Sequence, residues 1–442
     1  MNSQLPTVSF FSFLRNAKKI LQNPLPFHHY NFEKLCNTFQ VNLGFGKSAI
    51  FTRDEGLIKH MLQTQHRKYY KSPLQTDNLG HYIGRGLLTS NGDYWLRQRR
   101  LIQPAFYKKK LEGVKETILD TVQKELEVIE LYVPHYVHPI MSDLAFSVVG
   151  KSLFSYADDG KSMKRLQYIT GKVQEDLIKE IRQPFKRWWF KINGTIKKTE
   201  ALAQESRDLL KGIIQKRQKE SQSHDDLLDM LLASKYEDGT SMSMKQLIDE
   251  ILILFAAGHE TTSNALVFTL MLLSKHPKIQ DELYRETKNI NASEISMMEL
   301  FLQTPYAKKC IDESMRLYPP AYFSDRIAIE DDHFNGLGLK KGTSVLMSFY
   351  EIHRSSKFWV APEEYNPDRF DHISKKELSN WFFPFGAGPR MCVGNNLAMY
   401  EMLVTVIEIV KKYHINPSFD TIKIKPLITL KPINGNLIFT PR

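Results

Sequence analysis

A short loop near the end of the chain combines one cysteine with several glycines. The stretch FGAGPRMCVG, residues 385–394, places Cys392 two residues after Arg390. The other two cysteines, Cys36 and Cys310, are distant in sequence, and no pair has C-x-x-C spacing. A zinc site or a disulfide framework would need further partners. Cys392 therefore either acts alone or is a small buried hydrophobic residue.

A second polar segment, AAGHETTSN at 256–264, lies in the middle of a helix predicted over 244–275. Gly258 costs about 1 kcal/mol relative to alanine inside a helix. Thr261 and Thr262 can bond back to carbonyls one turn earlier. The segment is either a polar patch facing a neighbouring helix, or a groove where a ligand approaches the backbone. In the second case a hydroxyl and the Glu260 carboxyl are placed to relay protons.

Two further segments pair charged side chains on helix faces. Glu313 and Arg316 are three residues apart, and Arg369 follows in NPDRF; three such charges support one another only if they are buried and hydrogen-bonded. Trp95 and Arg99 are four apart, and an indole N–H beside a guanidinium suits a carboxylate partner. Taken alone, each segment also fits a solvated charged surface.

The elements that must position these segments are predicted to be mainly α-helical with small β-sheets. Two strands are expected within 41–52, and short strands within 322–330, 345–349 and 422–440. Linker-like stretches occur at 157–160, 191–195 and 236–240. Helices are expected over 54–63, 92–103, 110–132, 140–154, 162–182, 197–222, 225–233, 244–275, 277–288, 296–318 and 395–413.

Composition describes an ordinary globular chain with a basic surface. Its 442 residues carry a net charge of +11, and no nucleic-acid-binding motif accompanies that charge. Although the length allows two or three domains, we predict one domain over 1–442, with a loosely packed segment at 1–24. The N-terminus has the wrong charge order for a signal peptide, and no apolar run reaches the ~20 residues of a membrane span. We therefore expect a soluble cytoplasmic protein.

In order and spacing, the segments together resemble the cytochrome P450 superfamily. The matching motifs are W-x-x-x-R at 95–99, A-G-x-E-T-T at 257–262, E-x-x-R at 313–316, P-x-R-F at 367–370 and F-x-x-G-x-R-x-C-x-G at 385–394. The resemblance covers residue 25 to the end and implies the cytochrome P450 fold. Asp368 stands where glutamate is more usual.

The resemblance implies haem (heme b) as cofactor, with Cys392 as the metal ligand. It places Phe385 and Gly394 around the sulfur, Ala257 in the groove for dioxygen, and Thr261 and Glu260 as the catalytic proton-delivery pair. Glu313, Arg316 and Arg369 become a structural lock. The implied partners of the haem propionates are Trp95, Arg99, Arg326 and Arg390.

The implied activity is that of a monooxygenase that inserts oxygen from O₂ into a C–H bond. Electrons come from NAD(P)H only indirectly, through a ferredoxin and a ferredoxin reductase, because the chain has no flavin or iron–sulfur segment. A monomer is expected. The alternatives are a peroxide-using peroxygenase, which generally lacks the acid–threonine pair, and a haem-thiolate sensor.

The implied substrate pocket contains the 70–88 loop, Ile253, Ala257, Tyr322, Phe323 and Ile433. Because the 71–86 loop is polar, a sugar-like substrate is compatible with it. The chain is similar to marine-bacterial P450s that demethylate 6-O-methyl-D-galactose to galactose and formaldehyde. Hydroxylation of a fatty acid or a terpenoid is the alternative.

Overall fold

Helices dominate the computed structural model, which describes residues 5–155, 161–219, 224 and 226–442. The α-helices are α1 Phe10–Gln22, α2 Leu25–Lys34, α3 Glu55–Lys59, α4 Gly80–Ile83, α5 Gly92–Ile102, α6 Lys108–Leu111, α7 Lys115–Glu125, α8 Val137–Phe154, α9 Lys161–Arg182, α10 Arg187–Ile192, α11 Thr195–Lys219, α12 Leu227–Ala233, α13 Met244–Lys275, α14 Pro277–Thr287, α15 Met297–Gln303, α16 Pro305–Leu317, α17 Phe349–Ile352, α18 Lys375–Trp381 and α19 Asn395–Lys412.

The strands form small sheets built from both ends of the chain. They are β1 Thr7–Val8, β2 Thr38–Gly44, β3 Lys47–Thr52, β4 Tyr69–Tyr70, β5 Pro134–Tyr136, β6 Phe323–Ala328, β7 Asp332–Phe334, β8 Leu337–Leu339, β9 Ser344–Ser348, β10 Tyr413–Pro417, β11 Ile424–Pro426, β12 Leu430–Pro432 and β13 Asn436–Pro441. The largest sheet has the order β1-β2-β3-β9-β6-β4, so β9 and β6 join the N-terminal hairpin. The mainly α fold with small sheets is as predicted.

The long helix α13 runs through the main hydrophobic core and packs against α8, α16 and α19. It begins where the Ser243 hydroxyl accepts a hydrogen bond from the Gln246 N–H. Its limits, Met244–Lys275, are those predicted. By length and composition alone this helix could cross a membrane, but 67% of its most apolar stretch is buried inside the molecule.

Two predicted helices are divided in the structure. Thr304 ends α15, and Pro305, which has no N–H to continue a helix, is the first residue of α16. The 110–132 prediction is interrupted by a 3₁₀ turn over Glu112–Val114 that contains Gly113. The predicted 296–318 and 110–132 helices are therefore wrong as continuous elements.

Other predictions fall partly outside the described residues. The linker at 157–160 and the last residues of the 197–222 helix lie there. The linker at 236–240 is a turn closed by the Tyr236 N–H and the Thr240 carbonyl at 2.8 Å. The N-terminal segment is an ordered helix, α1, which the sequence reasoning missed. The single domain stays a prediction.

Candidate active site

The loop around Cys392 folds back on itself through backbone hydrogen bonds. The Cys392 N–H donates to the Phe385 carbonyl at 2.9 Å, which closes the loop. Gly386 and Gly388 have φ values of 72° and 69°, in the left-handed region that favours glycine. At Gly388 a Cβ atom would lie 1.9 Å from the Leu62 carbonyl oxygen. The tight path of the loop therefore requires glycine there.

The Cys392 thiol is accessible, yet the surrounding protein is close enough that burial raises its pKa. Both observations hold if the thiol lines an internal space instead of the outer surface. The Gly394 N–H and the positive charge of Arg99 act in the opposite direction and favour the thiolate. Gly394 also caps α19, whose positive dipole end lies nearby. A metal cation at the sulfur would supply the remaining stabilisation of the thiolate.

The other cysteines have different surroundings. Cys310 is buried, and burial raises the pKa of its thiol. Cys36 is exposed and donates a hydrogen bond to the Thr38 carbonyl at 2.7 Å. In the part of the chain that the structure describes, no group of three or more His, Cys, Asp or Glu could hold a metal ion. Cys392 is thus a candidate metal ligand by itself.

Four basic side chains beside this loop lie close enough for their positive charges to interact: Lys71, Arg99, Arg326 and Arg390. Lys71 is buried, and its Nζ donates to two backbone carbonyls of the loop before α5 at 3.1 and 2.7 Å. Burial, followed by the charges of Arg390, Arg326 and Arg99, lowers the Lys71 pKa strongly. The Arg390 pKa falls to about 10 because of burial and the charge of Arg326.

Asp325 is the carboxylate whose charge opposes this cluster among the described residues. It already accepts hydrogen bonds from Ser72 and Gln75. Arg326 is also buried and donates to the Ser324 hydroxyl at 3.1 Å and the Asp325 carbonyl at 2.6 Å. Two of these four cations, Lys71 and Arg326, are buried and the other two are half-buried, and gathering them around one carboxylate is unfavourable unless an anion joins them. A cofactor with two carboxylates and a metal that binds sulfur, as haem has, fits these residues.

The helix α5 connects the cation cluster to the cysteine loop. The Arg390 guanidinium lies 4.0 Å from the centre of the Trp95 ring, and the Arg99 Nη1 donates to the Met391 carbonyl at 2.8 Å. The structure therefore brings the predicted Trp95, Arg99, Arg326 and Arg390 together. Sequence reasoning missed Lys71 as a member, because its loop has no regular spacing and only tertiary burial distinguishes it.

The middle of α13 contains the predicted catalytic pair. The Thr261 hydroxyl donates to the Ala257 carbonyl at 2.7 Å, the back-bond predicted from the sequence. A Cβ atom on Gly258 would lie 3.1 Å from Val149 of α8, so Gly258 allows the two helices to approach closely. Ala257 and Thr261 are only half-buried within this core helix.

Glu260 points toward the C-terminal strands, where it bonds the Thr429 side chain. Burial raises the Glu260 pKa, whereas this bond and the charge of Lys431 act against the increase. Thr429 also accepts from the Asn264 amide at 3.1 Å, and the Asn264 oxygen lies 3.2 Å from the His138 Nε2. Thr429 therefore connects Glu260 to Asn264 and His138, and sequence spacing gave no sign of these contacts.

His259 faces α8. Its Nε2 lies 2.8 Å from the Ser142 hydroxyl, and its ring packs edge-on against Phe146. Burial lowers the His259 pKa to about 4. These contacts make His259 a packing residue of the α8–α13 interface.

The three predicted lock residues are in direct contact. The Arg316 Nε and the Arg369 Nε donate to the two Glu313 oxygens at 2.7 and 2.8 Å. All three side chains are buried, and both arginines also donate to backbone carbonyls in the 353–364 segment. The position of these charges beneath a haem stays a prediction.

The predicted pocket residues lie in different surroundings. Ile253 is part of the main core, and Ile433 is 46% exposed. The Tyr322 hydroxyl donates to the Leu427 carbonyl at 2.8 Å, and its ring packs against Phe323. A cavity of about 740 Å³ lies elsewhere, between α8, α9 and α11, and none of the predicted site residues lines it.

Comparisons with known proteins agree with this geometry. The family model described as cytochrome P450 matches residues 5–439. A cytokinin hydroxylase of Arabidopsis thaliana is 31% identical in an alignment of 400 residues that covers 87% of this chain and 77% of the relative. A cyclooctat-9-en-7-ol 5-monooxygenase of Streptomyces melanosporofaciens is 26% identical, over 77% of this chain and 75% of the relative. The crystal structure of a cytochrome P450DA heme domain superposes with a TM-score of 0.85 at 20% identity, over 100% of this chain and 98% of that one.

Proposed function

Because the chain belongs to the cytochrome P450 family and is a P450 monooxygenase, we propose that it hydroxylates an apolar small molecule. The observation that supports haem loading most directly is the cluster of four cations, buried Lys71 and Arg326 with half-buried Arg99 and Arg390, beside the accessible thiol of Cys392. Neither feature is favourable alone, and one anionic cofactor with a thiolate-bound metal satisfies both. A haem-thiolate sensor would need the same features, so turnover must distinguish the two.

In this proposal the cysteine loop and the cation cluster would hold the cofactor. Cys392 would bind the metal through its sulfur, and the Gly394 N–H and Arg99 would keep the sulfur anionic. Arg390, Arg326 and Lys71 would hold the propionates through charge-assisted hydrogen bonds. When bound, thiolate-ligated haem supplies the activation of dioxygen for insertion of one oxygen atom into a C–H bond.

The chain supplies protons from α13. Since the Thr261 hydroxyl donates its own hydrogen to the Ala257 carbonyl, its lone pairs remain able to accept a hydrogen bond from water in the groove. Burial raises the Glu260 pKa, so this carboxyl keeps its proton to higher pH than an exposed glutamate does. Thr429 and Asn264 orient Glu260, and His138 extends the chain. The acid–threonine pair favours dioxygen over peroxide as the oxidant.

Three polar side chains of the 71–86 loop are already hydrogen-bonded within the protein, which favours an apolar substrate over a sugar. Lys71 bonds backbone carbonyls, and Ser72 and Gln75 bond Asp325. Of the five predicted pocket residues outside the 70–88 loop, only Tyr322 carries a polar side-chain group, and its hydroxyl is already bonded. Demethylation of 6-O-methyl-D-galactose would need free hydroxyl-binding groups. We therefore place fatty acids and terpenoids first, a class consistent with the names of relatives such as the cyclooctat-9-en-7-ol 5-monooxygenase.

We further propose that a ferredoxin, reduced by a ferredoxin reductase at the expense of NAD(P)H, delivers electrons to a monomeric enzyme in the cytoplasm. Three free cysteines are consistent with that compartment. The proposed docking surface for the ferredoxin contains Arg97, Arg100 and the lysines at 108–110. Arg97 and Arg100 are exposed but pair with Asp238 and Glu237 at 3.6 and 2.7 Å, so the exposed Lys109 and Lys110 are its main cations for a partner.

The test is a substrate panel with the haem-loaded protein. Fatty acids, terpenoids and 6-O-methyl-D-galactose are compared by the spectral change on binding and by product formation with a ferredoxin system. We expect apolar compounds to bind and to be hydroxylated. Formaldehyde and galactose released from the methylated sugar would contradict the apolar proposal. Binding spectra without product from any compound, in a system that reduces the iron, would instead favour a sensor.

A further inference from the structure

The 84–91 loop, which leads into α5, is held on one side by two adjacent acids of α13. The Arg85 N–H donates to the Asp249 carboxylate at 3.1 Å, and the Leu87 N–H donates to the Glu250 carboxylate at 3.0 Å. Both acids are buried. Two backbone donors of this loop are therefore bound to α13.

Carbonyls of the same loop accept hydrogen bonds from the cation cluster. The Lys71 Nζ donates to the Leu87 and Leu88 carbonyls at 3.1 and 2.7 Å. The Arg390 Nη1 donates to the Ser90 carbonyl at 3.1 Å. Leu87 thus gives its N–H to an acid of α13 and its carbonyl to a cation of the cluster.

Two glycines allow the loop to approach the acids this closely. A Cβ atom on Gly84 would overlap the Asp249 carboxyl, and a Cβ atom on Gly86 would overlap the Glu250 carboxyl. Gly84 also has a φ of 89°, in the region that favours glycine. The loop therefore reaches α13 because these two positions carry no side chain.

The loop also limits the directions in which its cations can bind an anion. A lysine ammonium has three N–H donors, and two of those on Lys71 are taken by loop carbonyls. The third is left for a carboxylate. Arg390 is fixed in a similar way, because its Nη2 donates to the Asn91 side-chain oxygen at 3.3 Å. The position of the loop therefore decides where both cations can meet an anionic cofactor.

We infer that Glu250 is a positioning residue of the cofactor site, acting through the 84–91 loop on Lys71. Asp249 holds the start of the same loop and also pairs with Arg207 of α11. The inference rests on the proposed role of the cation cluster in binding haem, and it adds an acid that acts on the cofactor only through the loop. In this way α13 sets the position of cations that lie outside it.

The experiment measures the rate at which the loaded protein releases haem to a scavenging protein. In Glu250→Leu the Leu87 N–H loses its acceptor, so haem should leave about tenfold faster, as is typical when the support behind a binding group is removed. Glu250→Gln keeps an oxygen acceptor and should release haem at close to the unaltered rate. Gly86→Ala, which pushes the loop away from Glu250, should behave as Glu250→Leu does and provides a second route to the same defect.

Double variants separate positioning through Lys71 from a general loss of stability. Glu250→Leu combined with Lys71→Met should release haem much more slowly than the product of the two single effects predicts, because both changes act on the same contact. Combined with Arg326→Met, the two effects should multiply, since Arg326 donates to Ser324 and not to the loop.

The matched control is Asp176→Leu, which removes a buried acid of α9 that accepts hydrogen bonds from Thr199 and Lys179. This variant should leave haem release unchanged. Urea unfolding of the haem-free variants gives the stability of each, so that rates are compared at known stability.

Three results would overturn the inference. These are an unaltered rate in Glu250→Leu and Gly86→Ala, a rate in Glu250→Gln as fast as in Glu250→Leu, and effects that multiply with Lys71→Met as fully as with Arg326→Met. If Lys71→Met and Arg326→Met alone do not change haem release, the haem-binding role of the cation cluster is wrong, and the inference fails with it.

Discussion

At the scale of single residues, Cys392 differs from the other cysteines in what its sulfur contacts. Cys310 is enclosed in the core, and Cys36 lies on the outer surface. The Cys392 thiol is accessible, and the charge of Arg99 and the Gly394 N–H favour its thiolate. Only this environment is suited to a metal-bound thiolate.

We predict that Cys392→Ser abolishes the thiolate-type absorption of the ferrous–carbon monoxide complex. Serine keeps the size of the side chain but provides no soft sulfur ligand for iron. Cys36→Ser and Cys310→Ser are the controls and should retain the absorption. A normal spectrum for the Cys392 variant would refute the haem-thiolate assignment.

Replacing Lys71 should weaken haem retention without weakening the folded state of the haem-free protein. In Lys71→Met, haem should leave the protein at least about tenfold faster, because a charge-assisted contact to a carboxylate is lost. The haem-free protein should unfold at equal or higher urea concentration, since a buried unpaired cation has been removed. Haem transfer to a scavenging protein and urea titration measure the two effects.

Lys109→Met, at an exposed position of α6, is the control for both measurements. If Lys71→Met destabilises the haem-free protein and leaves haem release unchanged, Lys71 has only a structural role in the loop before α5. That result would also weaken the argument that the cation cluster is a cofactor site.

At the scale of elements, α13 carries the groups of the proposed proton route. In Thr261→Ala the hydroxyl is lost, whereas the thiolate and the cation cluster remain. Substrate should still bind and NAD(P)H should still be consumed, but product should fall at least about tenfold and hydrogen peroxide should increase. Product, peroxide and NAD(P)H are measured in the same reaction.

Thr269→Ala is the matched control, because its hydroxyl also donates to a carbonyl four residues earlier in α13 but is buried in the core. Added peroxide should partly restore product formation by Thr261→Ala. Full coupling of electrons to product in that variant would make Thr261 a residue of helix geometry only.

The first half of α13 also contains a buried acid that makes stability depend on pH. Burial raises the Glu250 pKa from 4.5 to about 7, although the Leu87 N–H and the Gln246 amide oppose the shift. A raised carboxyl pKa means that the folded state binds more protons than the unfolded state between these values, so stability decreases as pH rises from 4.5 to 7. Over this pH range the free energy of unfolding decreases by roughly 3 kcal/mol.

Glu250→Gln should remove this decrease, because a glutamine does not ionise. Urea unfolding at intervals from pH 4.5 to 7.5 should show the variant gaining stability relative to the unaltered protein as pH rises. Glu116→Gln, which changes an exposed side chain of α7, should leave the dependence as it is. Parallel curves for Glu250→Gln and the unaltered protein would contradict the prediction.

At the scale of the whole molecule, the Glu313–Arg316–Arg369 contacts connect distant parts of the chain. They join α16 to the 353–369 segment through side-chain and backbone hydrogen bonds. Removing one charge leaves two buried guanidiniums without a carboxylate. We predict that Glu313→Gln lowers the free energy of unfolding by about 3–5 kcal/mol.

Urea unfolding of the haem-free protein checks this value without interference from cofactor loss. Glu282→Gln is the control, since Glu282 pairs with Arg285 at an exposed position of α14 and should cost no more than about 1 kcal/mol. Equal costs for the two variants would show that the buried triad does not stabilise the folded molecule.

The amino-acid sequence by itself determined the mainly helical fold, because helices depend on local patterns of apolar residues. The spacing of apolar residues predicted α13 to its end residues. The resemblance of the motifs to the P450 family predicted Cys392, Trp95, Arg99, Arg390 and the Glu313 triad as site residues. The helix breaks at Pro305 and in the 112–114 turn were missed, although proline and glycine mark them. The reason is that the helical spacing of apolar residues continues across both breaks.

Only the tertiary structure decided which polar groups are free and which are already bonded. Lys71 has no recognisable spacing, and its importance comes from burial beside three arginines that are distant in sequence. Glu260 interacts with Thr429, 169 residues away along the chain. Such contacts depend on how elements pack, and burial and electrostatics follow from packing, which no local pattern records.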